Sequence, residues 1–113
     1  MSPNWLRGVW TGIGYQQEGV CWSIRLTADT NKNEFRIQYP SIGGSDGRWT
    51  LIEQDAAADR YTFEERIFPP DGITEDGGRI IVTKVTENHM SFSYFRPPTF
   101  EKVAAWSTLQ RQQ

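Results

Sequence analysis

The chain has one cysteine and one histidine in 113 residues, and each scarcity excludes a class of protein. A lone Cys21 rules out a disulfide within the chain, and together with His89 it is too little for a cysteine–histidine metal cluster. The apolar runs fall far short of the roughly 20 residues of a membrane helix, and the first residues lack the apolar core of a signal peptide. We therefore expect a cytoplasmic protein with no membrane partner.

Charge is also unremarkable in amount and sign. Charged residues make up 23% of the chain, the net charge is -2, and no basic stripe is present. Nucleic acid is therefore not an expected partner. A chain of this length is large enough for one core and too small for two, so we expect residues 1–113 to form a single domain.

What the chain does contain is eight short runs in which apolar and polar residues alternate. In the clearest run, Glu34–Tyr39, the side chains of Phe35, Ile37 and Tyr39 share one face. A period of two is typical of a strand with one dry and one wet side. The predicted strands are residues 8–15, 20–28, 34–39, 48–54, 60–68, 79–85, 89–96 and 102–110. Because eight strands leave no room for helical crossovers, we predict an all-β fold, an eight-stranded antiparallel up-and-down barrel.

The loops differ between the two ends of the predicted barrel. The even-numbered connections are compact turns of Asp, Asn, Thr and Ala, whereas the odd-numbered ones carry nearly all the Pro and much of the Gly. We call these two sides the even-loop end and the odd-loop end. Binding sites favour the mouths of barrels, so the odd-loop end is the predicted place for a site.

Aromatic residues reach 13% of the chain, with five Trp. Rings of this size suit a well-filled β core, and they also suit a pocket in which a ligand stacks. On the second interpretation the ligand-binding residues would be Trp22, Tyr39, Trp49, Phe63, Glu65, Tyr94, Arg96 and Trp106. The predicted ligand is small and apolar or aromatic.

Glu65 is the chemical oddity of this set. Parity with Phe63 and Ile67 places its carboxyl inside the barrel, where burial is costly unless it is paired and where its pKa would rise. The candidate partners are Arg79, Arg96 and the phenols of Tyr39, Tyr61 and Tyr94. Glu65 could anchor a ligand, form an internal structural pair, or be turned to solvent by a β-bulge.

The segment Gly8-Val9-Trp10 on the first strand, ahead of seven more strands, resembles the calycin group of lipocalins, fatty-acid-binding proteins and avidins. In lipocalins this Trp packs at the closed end of the barrel, and an Arg near the C-terminus lies over it. The resemblance therefore implies a calycin-like barrel in which Arg111 covers Trp10.

Two ligands known from similar barrels are not expected. Avidins hold biotin with polar residues directly after this Trp, where the present chain has Thr11-Gly12-Ile13-Gly14. The pattern Gly-x-Trp-x-Gly-x-Gly also resembles nitrobindin-type haem barrels, which use one His as iron ligand. His89 alternates out of phase with Met90, so it should face outward at the even-loop end. We therefore expect no cofactor.

A second resemblance covers about a third of the chain. Residues 39–44, 49–51, 63–67 and 76–78 look like a little-characterised bacterial domain with a Tyr-Pro-Ser-x-x-Gly, Trp and Asp-Gly-Gly pattern. In that domain two cysteines near these motifs pair, and both are absent here. Their loss fits a reducing compartment. The resemblance implies no established activity.

Three functions remain open on the sequence. The first is a non-catalytic barrel that binds a small, partly apolar ligand at its open end, as a monomer or homodimer. The second is a protein-interaction module or inhibitor that uses the Pro-Pro loops at 69–70 and 97–98, flanked by Phe68, Phe95 and Phe100. The third is a small lyase or isomerase centred on Glu65, for which the chain offers little other catalytic machinery.

Overall fold

Eight antiparallel strands close into a barrel in which each strand pairs with its neighbours in chain order and the last pairs with the first. This computed structural model describes residues 4–43, 45–68 and 76–112. The strands are β1 Gly8–Gln16, β2 Cys21–Asp29, β3 Glu34–Tyr39, β4 Ser45–Asp55, β5 Arg60–Ile67, β6 Arg79–Thr86, β7 His89–Phe95 and β8 Val103–Arg111. The predicted all-β up-and-down barrel is confirmed.

The strand bounds lie close to those predicted, with β4 as the main exception. β4 begins at Ser45 rather than Arg48, because Ser45 and Gly47 already pair with the end of β3. After β4, Ala56–Ala58 form a single 3-10 turn. The Asp55 side chain accepts a hydrogen bond from the Ala58 amide, and Asp59 takes the left-handed conformation that ends the turn. Asp commonly plays both roles in turns.

The core is formed by the alternate residues that the sequence pattern places on one face. On β2, β3, β5 and β7 the inward side chains follow the predicted parity; on β6 the inward residues are Ile80 and Val82. The fully buried large side chains are Leu6, Trp10, Ile24, Leu26, Phe35, Ile37, Phe63, Ile67, Ile80, Met90, Phe92 and Leu109. Side chains, mostly apolar, therefore fill much of the barrel interior.

Glycines on β1 make room for this filling. Gly14 points inward beneath Trp22, and a Cβ at Gly14 would lie 2.5 Å from Cζ3 of that ring. No real Cβ approaches another atom so closely, so only glycine allows the Trp22 ring to lie against β1. The partner of Gly14 in the β1–β2 register is Trp22 itself.

The even-loop end is closed by the segment that precedes β1. Asn4–Leu6 form one 3-10 turn, and the buried Leu6 carbonyl accepts a hydrogen bond of 2.8 Å from Trp10 Nε1. The Arg111 guanidinium carbon lies 4.3 Å from the centroid of the Trp10 ring, so the expected contact between these residues is present. Arg111 also donates to the backbone carbonyls of Arg7, Trp5 and Glu87.

We predict that Arg111→Met destabilises the barrel by about 1–3 kcal/mol, because it removes a cation–π contact and charged donors to three carbonyls. Urea denaturation followed by tryptophan fluorescence measures the change. Arg25→Met, an exposed position on β2, is the matched control and should shift the free energy of unfolding by less than about 0.5 kcal/mol. Equal effects in the two variants would show that the contacts of Arg111 do not stabilise this end of the barrel.

Candidate functional site

A buried carboxyl lies in the half of the barrel nearer the odd-loop end. Glu65 on β5 is 1% exposed. Its Oε2 accepts a hydrogen bond of 2.5 Å from the Tyr39 hydroxyl and one of 3.0 Å from Trp49 Nε1. The inward orientation predicted by parity is therefore present, and the partners come from aromatic side chains.

Three adjacent strands bring this cluster together. Trp49 on β4 is the direct register partner of Glu65 on β5, and Tyr39 is the last residue of β3. Side chains of directly paired residues share a face, so the indole N–H reaches the carboxyl without any backbone distortion. Tyr39 reaches the same oxygen from the other side of β4.

The segment leading into β6 fixes the backbone of Glu65. The Glu65 amide donates to the Gly78 carbonyl at 2.9 Å, and the Gly77 amide donates to the Glu65 carbonyl at 3.0 Å. Gly78 lies against Tyr94, where a Cβ would be 2.2 Å from the ring carbon Cε1. A side chain at position 78 would therefore displace the Tyr94 ring.

Aromatic rings surround the carboxyl and fill the space below it. Trp22 packs edge-on against Tyr39 with centroids 5.1 Å apart, and Trp49 contacts Phe63 at 5.2 Å. Phe92 contacts both Trp49 and Trp22, at 6.0 and 6.4 Å. Phe92 was not among the predicted site residues, although its inward parity with Tyr94 was the signal for it.

Burial controls the acid–base behaviour of this cluster. Loss of water raises the pKa of Glu65 from 4.5 to about 7, against the opposing effect of the hydrogen bonds from Tyr39 and Trp49, and the charge of Asp76 adds to the rise. Burial, with the nearby Glu65 charge, also raises the pKa of Tyr39 well above 10. Tyr39 therefore stays a hydrogen-bond donor at neutral pH, where Glu65 changes its charge.

Two predicted site residues lie elsewhere. Trp106 is 46% exposed and faces outward, which corrects the expectation that it lines the interior. The pairing of β7 with β8 shifts between Tyr94 and Phe95, so that Ala104 and Ala105 both point inward and Trp106 is turned out. The salt bridge of the Arg96 guanidinium is with Glu18, at 2.7 Å, and not with Glu65.

The remaining predicted site residues are brought together. Trp22, Tyr39, Trp49, Phe63, Glu65 and Tyr94 all lie inside the barrel, with Trp22 half-buried and the others buried. The indole N–H of Trp22 donates to Gln16 Oε1 at 2.9 Å. These six residues form one cluster, and we call it the Glu65 cluster.

The phenylalanines beside the two proline loops differ in exposure. Pro69-Pro70 lies outside the described residues. Phe68 is 55% exposed, whereas Phe95 and Phe100 are half-buried, and the Arg79 guanidinium carbon lies 4.2 Å from the centroid of the Phe100 ring. The three phenylalanines therefore do not form a uniformly exposed lip.

The lone histidine is engaged at a turn. His89 Nδ1 lies 2.9 Å from the Thr86 hydroxyl, on the outward phase of β7. Within residues 4–43, 45–68 and 76–112, no group of three or more acidic, His or Cys side chains could hold a metal ion. Over the same residues, neither 3-10 turn is long or apolar enough to cross a membrane.

No known family model matches the chain, and no curated protein is significantly similar to it.

We predict that the stability of the protein falls as pH rises from about 4.5 to about 7, because the unfolded chain ionises Glu65 first while the folded state still holds the proton. Over that window the loss is on the order of 3 kcal/mol, and above it the loss from this group is complete. Urea denaturation at several pH values measures it.

Glu65→Gln removes this titration and keeps the shape of the side chain. Its free energy of unfolding should therefore rise relative to the native protein between pH 5 and pH 8. Glu53→Gln, at an exposed position on β4, is the control and should follow the native pH profile. Parallel profiles for the native protein and Glu65→Gln would show that the carboxyl does not titrate as described.

Proposed function

We propose that this protein is a non-catalytic binding protein that takes a small, partly apolar ligand at the odd-loop end, with Glu65 as its polar anchor. The observation that carries the proposal is a carboxyl that is 1% exposed, surrounded by aromatic rings and located toward the odd-loop end. Inward carboxyls cost free energy in a barrel core, and residues with strongly shifted pKa values concentrate at functional sites.

The chemistry of the Glu65 cluster favours a ligand with a hydrogen-bond donor. Tyr39 and Trp49 both donate to Oε2, so the cluster presents a carboxyl rather than a set of free donors. A hydroxyl or amine would complement that carboxyl, and the ring faces of Trp22 and Tyr94 would suit the apolar part of the molecule. The ligand class follows from these two requirements.

The packing of the barrel restricts where such a ligand would lie. Below Glu65, Phe63 contacts Phe35, and both Phe63 and Phe92 contact Trp49; Trp10 with Leu6 fills the even-loop end. The ligand would therefore occupy the level of Glu65 and above, between the half-buried Trp22 and Tyr94. The contact of Arg111 with Trp10 agrees with the proposed calycin-like character of the barrel.

We place the protein in the cytoplasm as part of the same proposal. Cys21 is exposed and free, which suits a reducing compartment.

The test is native mass spectrometry of the protein purified from its own host, beside the same sample after denaturation. We expect a mass excess in the native spectrum that vanishes on denaturation. Glu65→Gln should lower the occupied fraction about tenfold or more, since a hydrogen bond to a charged group contributes about 1.5–3 kcal/mol. Glu53→Gln, prepared in the same way, should keep the native occupancy.

A ligand that dissociates during purification needs a second readout. Thermal unfolding with a panel of small aromatic amines, alcohols and acids should show at least one compound that raises Tm in the native protein and not in Glu65→Gln. A bare native mass, together with no response to any member of the panel, would contradict the proposal.

A further inference from the structure

The outer surface of the barrel is divided into a charged half and an uncharged half. β3 to β6 present ion pairs to solvent, among them Arg36 with Asp46 at 2.6 Å and Arg66 with Glu64 at 2.9 Å. In contrast, the only Asp, Glu, Lys or Arg in β7, β8 and β1 is Arg111, which is turned to the even-loop end to cover Trp10. Three adjacent strands therefore share an outer face without such a charge.

Large apolar side chains lie on this uncharged face. Tyr15 on β1 and Trp106 on β8 are direct register partners and are 51% and 46% exposed. Ile13, two residues before Tyr15 on the same face, is 46% exposed. The row through Tyr15 and Trp106 continues to Ser93 on β7 and to Cys21 on β2. We call the outward residues of β7, β8 and β1, with Cys21 and Ser23, the neutral face.

The composition of the neutral face is that of an interface centre. Depletion of charge with enrichment of Trp and Tyr distinguishes the middle of protein–protein interfaces from ordinary surface. Contiguous exposed apolar groups of this kind on a folded protein mark an interaction site. The charged half of the same barrel, with its own ion pairs, shows that the neutral face is not the general character of this surface.

We propose that the neutral face is the contact surface between two copies of this chain, related by a twofold axis. A partner that recognised charge would find none to pair with there, whereas a second copy meets the face without like-charge repulsion. The polar groups among the rings are the hydroxyls of Thr11, Ser23, Ser91, Ser93 and Thr108, the amide of Gln110 and the imidazole of His89. Each of these side-chain types can both donate and accept hydrogen bonds, so the surface is complementary to itself, as an isologous contact requires.

The size of the face fits a weak contact between two copies. β7, β8 and β1 are seven, nine and nine residues long. At about 4.8 Å between strands and about 3.3 Å per residue they cover roughly 14 by 28 Å, and with Cys21 and Ser23 the face is on the order of 450 Å². Two copies in contact would then bury about 900 Å² in total, slightly below the level of about 1,000 Å² of a stable specific interface and in the range of weak, transient contacts. We therefore expect a reversible homodimer whose dissociation constant lies in the high micromolar range or weaker.

Sedimentation velocity over a range of protein concentrations tests the contact. The native protein should show a monomer–dimer equilibrium, and the double variant Tyr15→Ser/Trp106→Ser should raise Kd about 30-fold or more, because central aromatic residues are the usual hot spots. The control is Ile52→Ser/Val85→Ser, which removes two exposed apolar side chains, 47% and 63% exposed, from outside the neutral face. It should leave Kd within about twofold of the native value.

A distance measurement gives a second readout that does not need a variant. Cys21 is the only cysteine and is exposed, so a nitroxide label attaches at one position in each chain. In a dimer formed through the neutral face, Cys21 lies at an edge of the contact, so pulsed electron resonance should find the two labels within about 30 Å, the length of the strands. A contact through the charged half would place them roughly two barrel widths apart.

Two results would overturn the proposal. One is a protein that stays monomeric at every concentration up to about 1 mM. The other is a dimer that the control variant weakens as much as the Tyr15 and Trp106 variant does, or one in which the labels are far apart. A native dimer that is lost only in the Tyr15 and Trp106 variant, while circular dichroism shows both variants folded, supports it.

Discussion

The limited space inside an eight-stranded barrel is the constraint on which the rest of this structure depends. The interior holds Trp10, Trp49, Phe35, Phe63 and Phe92 beside many aliphatic side chains, so some of the other inward positions must be small. β1 and β8 supply these small positions, since their inward residues include Gly12, Gly14, Ala104, Ala105 and Ser107. The aromatic rings of β3, β4, β5 and β7 occupy the space that the small residues of β1 and β8 leave free. The aromatic residues of β1 and β8 other than Trp10, namely Tyr15 and Trp106, are consequently on the outside.

Glu65 occupies one of the inward positions in this crowded interior, and two of its neighbours carry hydrogen-bond donors for its carboxyl. Tyr39 and Trp49 are the two aromatic residue types that carry a donor group, and both direct it to the same carboxylate oxygen. Plain phenylalanines, Phe35, Phe63 and Phe92, fill the layers below. Donor-bearing rings are present at both ends, since Trp5 contacts Trp10 and Tyr61 toward the even-loop end. What distinguishes the odd-loop end is the buried carboxyl of Glu65, and its position agrees with the asymmetry of the loops.

Strict alternation made most of this predictable from the sequence. Parity placed Tyr39, Phe63, Glu65 and Tyr94 inside because β3, β5 and β7 run without an irregularity at those residues. The misplacement of Trp106 has another cause: the regular alternation of Ala105, Ser107 and Leu109 places Trp106 outward, whereas the extra residue Ala104 gives the opposite phase just before it. Parity could not choose between tyrosine, tryptophan and arginine as partners of Glu65. That choice depends on the register of β4 against β5, which also shifts between Leu51 and Glu53.

The contacts of Arg111 at the even-loop end bring the two ends of the described chain together. Arg111 holds the carbonyls of Trp5 and Arg7, and the Gln112 amide donates to the Val9 carbonyl at 2.7 Å, so residues 4–9 lie beside residues 111–112. The order of strands around a closed barrel does not depend on where the chain is cut. A short linker from Gln112 to Asn4 would therefore permit circular permutation, with new ends in a solvent-exposed turn such as Ala56–Ala58.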